Sequence, residues 1–205
     1  MNPSPAVTAP VQQGGVQDVA AAARRVVDAI VRAGDAIAAQ SGDLATALHG
    51  VADRIDLAAP PLAERMTTMW LPVDSRLHNP VNGLENPLAP PLEITEGADG
   101  DVAGSVTLGL PYQGPPGHVH GGISALLLDH VLGLANIRAG NSGMTARLAL
   151  TYHRPLPLFE ELSVTGRQAS VDGRKIHATG TISADGHVAV SAEGLFVRPR
   201  AEPGR

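Results

Sequence analysis

The stretch GPPGHVHGGISALLLDHVLGLANIRAG, residues 114–140, decides how this chain reads. Its second half carries Ile123, Leu126, Leu127, Leu128, Val131, Leu132 and Leu134, a helix of about 121–138 that is apolar nearly all round. Such a helix belongs in an interior rather than on a surface. One carboxylate, Asp129, interrupts the run, and Gly121-Gly122 opens it behind His118 and His120. Burying a carboxylate is costly unless it is paired or hydrogen-bonded. Asp129 therefore either closes a salt bridge to Arg138 or Arg147 or faces a cavity as a general base or nucleophile. The first N–H groups of a helix lack intrahelical partners and carry its positive dipole end. Glycine there lets a ligand approach the backbone, where a developing oxyanion could be stabilised, or merely lets the chain turn tightly.

Working outward, the sequence alternates. In 144–153 Met144, Ala146, Leu148, Leu150 and Tyr152 fall on one face, with Thr145, Arg147, Thr151 and His153 on the other. Val102, Val106, Leu108 and Leu110 share a face in the same way. Three Asp-Gly pairs, Asp99-Gly100, Asp172-Gly173 and Asp185-Gly186, suit two-residue hairpin turns, whose central positions need positive φ. About six strands follow, at 92–98, 101–110, 143–154, 160–171, 174–184 and 187–198, mostly antiparallel. One buried helix and one antiparallel sheet make two layers, an α+β domain with the sheet wrapped round the helix.

The N-terminal half reads differently. Residues 1–15 hold three prolines and two glycines and are expected to be a disordered tail. Val19, Ala22, Val26, Ala29, Ile30 and Ala33 recur at helical spacing, Ser41-Gly42-Asp43 marks a break, and a second helix is expected to about Leu57. Residues 16–58 thus form an amphipathic helical hairpin expected to dock on something larger. Seven prolines between 58 and 91 mark 59–87 as a linker, and the α+β domain occupies 88–200.

Composition narrows the function. Net charge is −5, with 17% charged residues, 2% aromatics and a single lysine, Lys175. Nucleic-acid binding needs clustered cations and often aromatics, so it is not expected. The absence of cysteine excludes disulfides, thiolate metal sites and a cysteine nucleophile. No signal peptide and no membrane-spanning run of ~20 apolar residues are read, and a cytoplasmic location is expected. His118 and His120 form H-x-H, but no further Glu or His follows at ligand spacing, so no metal is expected. A phosphate loop and a G-x-S-x-G elbow are absent. His130 lies about 100° round the helix from Asp129 and need not share its cavity.

Gly122 and Asp129 stand seven residues apart, roughly 10 Å along a helix axis. They cannot touch one carbonyl from the same helix. If they share a substrate, two copies of the helix run antiparallel, which points to a homodimer with sites at the interface.

GPPGHVHGGISALLLDHVLG, followed by MTARLALTYHRPLP and DGRKIHATGTI, resembles the hotdog-fold acyl-CoA thioesterases of the phenylacetate-pathway and thioesterase-superfamily-member type. The resemblance spans roughly 88–198. It rests on H-G-G, an Asp nine residues after the His, a Thr sixteen after the Asp, and Y-x-R-P-x-P. It implies a hotdog fold, hydrolysis of acyl-CoA thioesters and a place in fatty acid metabolism. Asp129 would be the catalytic carboxylate, the Gly122 N–H would polarise the thioester carbonyl with His120 beside it, and Thr145 would place the water or the acid. Gly121, Thr151, His153, Arg154, Arg174 and Lys175 would meet coenzyme A; relatives can carry lysine where His153 stands, and Arg154 would compensate. No cofactor is implied beyond the coenzyme A of the substrate, and the assembly would be a homodimer or a dimer of dimers. Hydratases of the same fold place a histidine five residues after the Asp, where this chain has Leu134. A non-catalytic acyl-CoA-binding or scaffold protein is the alternative.

Overall fold

The structure, a computed structural model, describes residues 15–69, 77–97 and 101–200. The expected tail, the Asp99-Gly100 turn and part of the proline-rich segment lie outside these residues. Helix α1 (Val16–Ala33) leads through a 3-10 stretch (Gly34–Gln40) into α2 (Ser41–Asp56), and a short α3 (Leu62–Thr68) follows. Then come β1 (Glu93–Glu96), β2 (Val102–Thr107), the long helix α4 (Gly121–Arg138), β3 (Met144–Tyr152), β4 (Glu161–Asp172), β5 (Lys175–Ala184) and β6 (His187–Val197).

The six strands form one antiparallel sheet in the order β1-β2-β4-β5-β6-β3. Alternation explains why it packs on one face. Leu162 and Val164 of β4, Ile176 and Ile182 of β5, and Val190 and Phe196 of β6 are buried, while the residues between them are mostly not. They meet Leu127, Leu128, Val131, Leu132 and Ala135 of α4. The helix sits close because two central strands are notched. A Cβ on Gly166 would meet Val131 Cγ1 at 2.7 Å, and one on Gly180 would meet Leu132 Cδ2 at 2.9 Å. Gly166 and Gly180 are paired in register, so the two notches make one seat for the helix.

Helix α4 has the bounds expected of it but is not covered all round. Ile123, Leu126 and Leu134 are half-buried and Ile137 is exposed, because a single sheet covers a single side. The expected salt-bridge partners of Asp129 are not used: Arg138 donates to the carbonyls of Thr95 and Asp101, and no ion pair joins Asp129 to either arginine among the described residues.

Two turns differ in detail. Asp185 and Gly186 are the central residues of the β5–β6 hairpin, both at positive φ (48° and 71°), with Ala184 paired to His187. At the other pair β4 runs through Asp172, which faces Lys175, so the central residues are Gly173 and Arg174. Only the glycine of these two needs positive φ (55°).

Of the helical hairpin, α1 touches the sheet domain. Ala20 is buried, and the Arg24 guanidinium donates to the carbonyls of Asn86 and Leu84. Burial raises the pKa of the neighbouring Tyr112 phenol, against the opposing pull of the Arg24 charge. Every residue of α2 is exposed.

Candidate active site

Asp129 lies midway along α4 and is half-buried. The Thr145 hydroxyl of β3 donates to its Oδ1 at 2.8 Å. Strict alternation puts Thr145 on the sheet face opposite Leu148, Leu150 and Tyr152. The structure corrects this. The pairing of β3 with β6 steps from Thr145↔Phe196 to Arg147↔Leu195, a β-bulge that leaves Ala146 unpaired. One extra residue reverses the facing of everything before it. Thr145 and Tyr152 therefore both turn toward α4, Thr145 to Asp129 and Tyr152 to the Gly121 carbonyl, to which its hydroxyl donates at 2.9 Å.

The start of α4 forms the second half of the arrangement. His120 is the N-cap, and its Nδ1 accepts the Gly122 N–H at 3.0 Å. The neutral ring then carries its proton on Nε2. The His120 carbonyl takes the Ile123 N–H at 2.9 Å. The glycine pair is explained by close approach: a Cβ on Gly121 would meet the Tyr152 hydroxyl at 3.1 Å, and one on Gly122 would meet His120 Nδ1 at 3.1 Å.

A pocket of about 440 Å³ opens beside this helix start, lined among others by His118, Gly121, Ser124, Tyr152, His153 and Arg154. No residue of the helical hairpin lines it. Sequence reasoning named Gly121, His153 and Arg154 but missed Tyr152 and Ser124 as site residues. Ser124, 1% exposed, stands three residues after Gly121, a spacing that could have flagged it. Tyr152 gave its signal in the motif Y-x-R-P-x-P, but as an alternation residue it read as core.

The remaining expected residues are distributed elsewhere. Thr151 faces the outside of the sheet, in one row with Ser191, Thr181 and Thr165, and lines a shallow groove there. His153 pairs through Nε2 with Ser191 Oγ at 2.9 Å. Arg174 sits at the β4–β5 turn, where Nε and an NH2 nitrogen hold the Arg198 carbonyl at 3.0 and 2.8 Å; Lys175 beside it is exposed. Thus one chain brings Asp129 to Thr145, and separately gathers Gly121, Gly122, His120, Tyr152, His153 and Arg154 at the helix start. It does not bring Asp129 to Gly122.

His130, next to Asp129 on α4, is largely buried. Its pKa is lowered to about 4 by burial, which outweighs the opposing pull of Asp129, and its Nε2 is shielded without a hydrogen-bond partner among the described residues. No group of three or more potential metal ligands occurs among the described residues, and no helix there is long and apolar enough to cross a membrane.

Residues 116–190 match the family model of the thioesterase superfamily, and residues 7–64 match that of the N-terminal helical domain of hypothetical protein RHA1_ro05818. The crystal structure of protein RHA08564, a thioesterase superfamily protein, is 51% identical, covers 90% of this chain and 95% of its own, and superposes with a TM-score of 0.78. The acyl-coenzyme A thioesterase THEM4 of Mus musculus is 36% identical over 92 residues, 44% of this chain but 40% of the mouse protein. The chain thus spans less than half the length of that relative. Zebra fish thioesterase superfamily member 2, 18% identical with a TM-score of 0.52 over 61% of this chain and 94% of its own, shares the fold. The sheet seated on α4 is the hotdog arrangement, and the chain belongs to the thioesterase superfamily.

Proposed function

We propose that the protein hydrolyses acyl-CoA thioesters to the free acid and coenzyme A. The observation that carries this reading is the Thr145–Asp129 hydrogen bond, a carboxylate oriented by a hydroxyl on the incompletely covered side of α4. Asp129 takes a proton from water as the water oxygen attacks the thioester carbon; the carbon–sulfur bond then breaks and the departing thiolate takes up a proton. Attack by the carboxylate itself, through an anhydride that water then opens, uses the same geometry. The carbonyl oxygen would meet the start of α4, sharing or displacing the hydrogen bond from the Gly122 N–H to His120, with the His120 Nε2–H as a further donor. Coenzyme A thiolate leaves readily, so the reaction as proposed needs no metal or cofactor.

The spacing of Gly122 and Asp129 along α4 supports a homodimer in which each site takes one residue from each chain. The edge position of β3 and the half-bare side of α4 suit such a partner. Gly121 and Arg154 would then hold coenzyme A from the helix-start side, with Thr151, His153, Arg174 and Lys175 meeting it at the periphery. We assign the work to fatty acid metabolism on the likeness to acyl-CoA thioesterases, and to the cytoplasm on the sequence composition alone. A non-catalytic acyl-CoA-binding protein is the second reading, since His120 already occupies the Gly122 N–H.

Free-thiol release from short, long and aromatic acyl-CoAs, with Asp129→Asn beside the parent chain, tests the proposal. Turnover lost in the variant with binding retained supports hydrolysis. A rise in Tm with acyl-CoA and no thiol release from any ester overturns it in favour of the binding protein.

A further inference from the structure

We infer that Ser124 is a specificity-determining residue, favouring acyl groups that carry a hydroxyl or oxo group on the third carbon. The inference rests on the proposed hydrolysis of acyl-CoA thioesters and names the acyl class. Ser124 lies in the first turn of α4 and is 1% exposed. Its hydroxyl makes no hydrogen bond among the described residues. The sealed, unpartnered side-chain atoms there are His130 Nε2 and Asn136 Nδ2, and the Ser124 oxygen is not one of them. The trace of surface that Ser124 keeps therefore belongs to its hydroxyl, and the residue lines the pocket at the helix start.

A helical serine or threonine ordinarily turns its hydroxyl back to the carbonyl three or four residues before it. Thr46 does so to Gly42 at 2.9 Å and Thr67 to Ala63 at 3.2 Å. For Ser124 the two carbonyls are those of Gly121 and His120, and both are engaged. The Tyr152 hydroxyl donates to the first at 2.9 Å, and the Ile123 N–H donates to the second at 2.9 Å. The Ser124 hydroxyl is thus left to whatever enters the pocket. Covering it with a group that cannot bond it is unfavourable, so the position is suited to a ligand with a polar atom there.

The walls of the pocket assign the ligand's ends. Val119, Leu156 and Val190, all buried, lie beside Ser124, whereas His153 and Arg154 are exposed. The charged phosphates of coenzyme A stay in water near Arg154, and the buried apolar wall takes the acyl group, the less hydrated end. Ser124 stands two residues past Gly122, roughly 3 Å along the axis, and a helical side chain leans toward the N-terminus. With the thioester carbonyl at the helix start, the third acyl carbon lies two bonds beyond the carbonyl carbon, and an oxygen on it comes within reach of the hydroxyl. An unsubstituted chain leaves that hydroxyl covered and unbonded, which is how a polar group in a site discriminates against the ligand that lacks its partner.

The test compares butyryl-CoA with acetoacetyl-CoA and with each enantiomer of 3-hydroxybutyryl-CoA, using the full-length parent, Ser124→Ala and Ser124→Thr. The quantity read is the ratio of kcat/KM for a 3-substituted ester to that for butyryl-CoA, in which any effect on folding cancels. For at least one 3-substituted ester this ratio is expected to fall about tenfold from the parent to Ser124→Ala, the effect of one hydrogen bond. It is expected to persist in Ser124→Thr, which keeps the hydroxyl. A ratio unchanged in Ser124→Ala overturns the inference, and an equal loss on every ester does so by placing the hydroxyl against the coenzyme A arm. If no ester releases thiol, the thioesterase reading fails, and the same comparison is made on the rise in Tm with each ester. A larger rise with a 3-substituted ester than with butyryl-CoA, lost in Ser124→Ala, supports the selectivity of Ser124, and equal rises overturn it.

Discussion

Thr145 and Asp129 are joined by a 2.8 Å hydrogen bond from strand to helix, across sixteen residues of sequence, and a β-bulge makes the contact possible. A hydrogen bond to a charged group contributes about 1.5–3 kcal/mol. If the bond orients the acting carboxylate, Thr145→Val is expected to lower kcat about 10–100-fold with little change in KM. Asp129→Asn should cost more, about 10²–10⁴-fold. Steady-state thiol release checks both, and a Thr145→Val enzyme as active as its parent would remove the hydroxyl from the mechanism.

The bulge itself can be tested. Deleting Ala146 restores a regular ladder in which Thr145 stands next to Arg147, still opposite Phe196 and still facing α4. Turnover is expected to stay well above that of Thr145→Val, while far-UV circular dichroism keeps its strand signal. A deletion variant as inactive as Thr145→Val would mean that the bulge does more than set the facing of Thr145.

Gly121 and Tyr152 should be coupled. A methyl group on Gly121 meets the Tyr152 hydroxyl and ring at 3.1–3.4 Å, tighter than ordinary contact. Gly121→Ala is expected to lower kcat/KM and Tm, and adding Tyr152→Phe should recover part of the loss in Tm by removing the nearest atom. Additive effects in the double-mutant cycle would show that the two do not share this contact.

His130 predicts a pH dependence of stability. Its pKa is about 4 in the folded chain, below the ~6.5 of an unfolded histidine, because burial disfavours the cation. Between these values the unfolded chain binds the extra proton, so stability from this residue is fully present above ~6.5 and is lost as pH falls toward 4. The loss amounts to at most ~3 kcal/mol. Urea unfolding of the parent and of His130→Leu at pH 7 and pH 5 measures it. The variant should lose less stability between the two, and parallel losses would refute the assignment.

Arg24 anchors the hairpin through carbonyls of Asn86 and Leu84. Arg24→Ala is expected to speed proteolysis within residues 16–56 while leaving residues 101–198 resistant. Mass spectrometry of the limit digest checks it, and an unchanged cleavage rate would show that the anchor does not hold the hairpin.

The sequence by itself determined the long helix, the six strands and the two layers, though not α3 inside the proline-rich stretch. An apolar run of that length favours a helix against a core, and alternation between turns favours half-buried strands, because both signals are local and repeat over many residues. It also singled out Asp129, since a carboxylate in such a run needs a reason. Tertiary structure decided where side chains meet. Alternation assigned Thr145 to the wrong face because a bulge is a property of two strands in register, and its partner Phe196 in β6 lies 51 residues on (196 − 145). The Asp172 turn shifted by one residue for the same reason. That His120 takes the Gly122 N–H, that Tyr152 reaches Gly121, and that α2 is left bare depend on distances between segments far apart in the chain, and no periodicity records those.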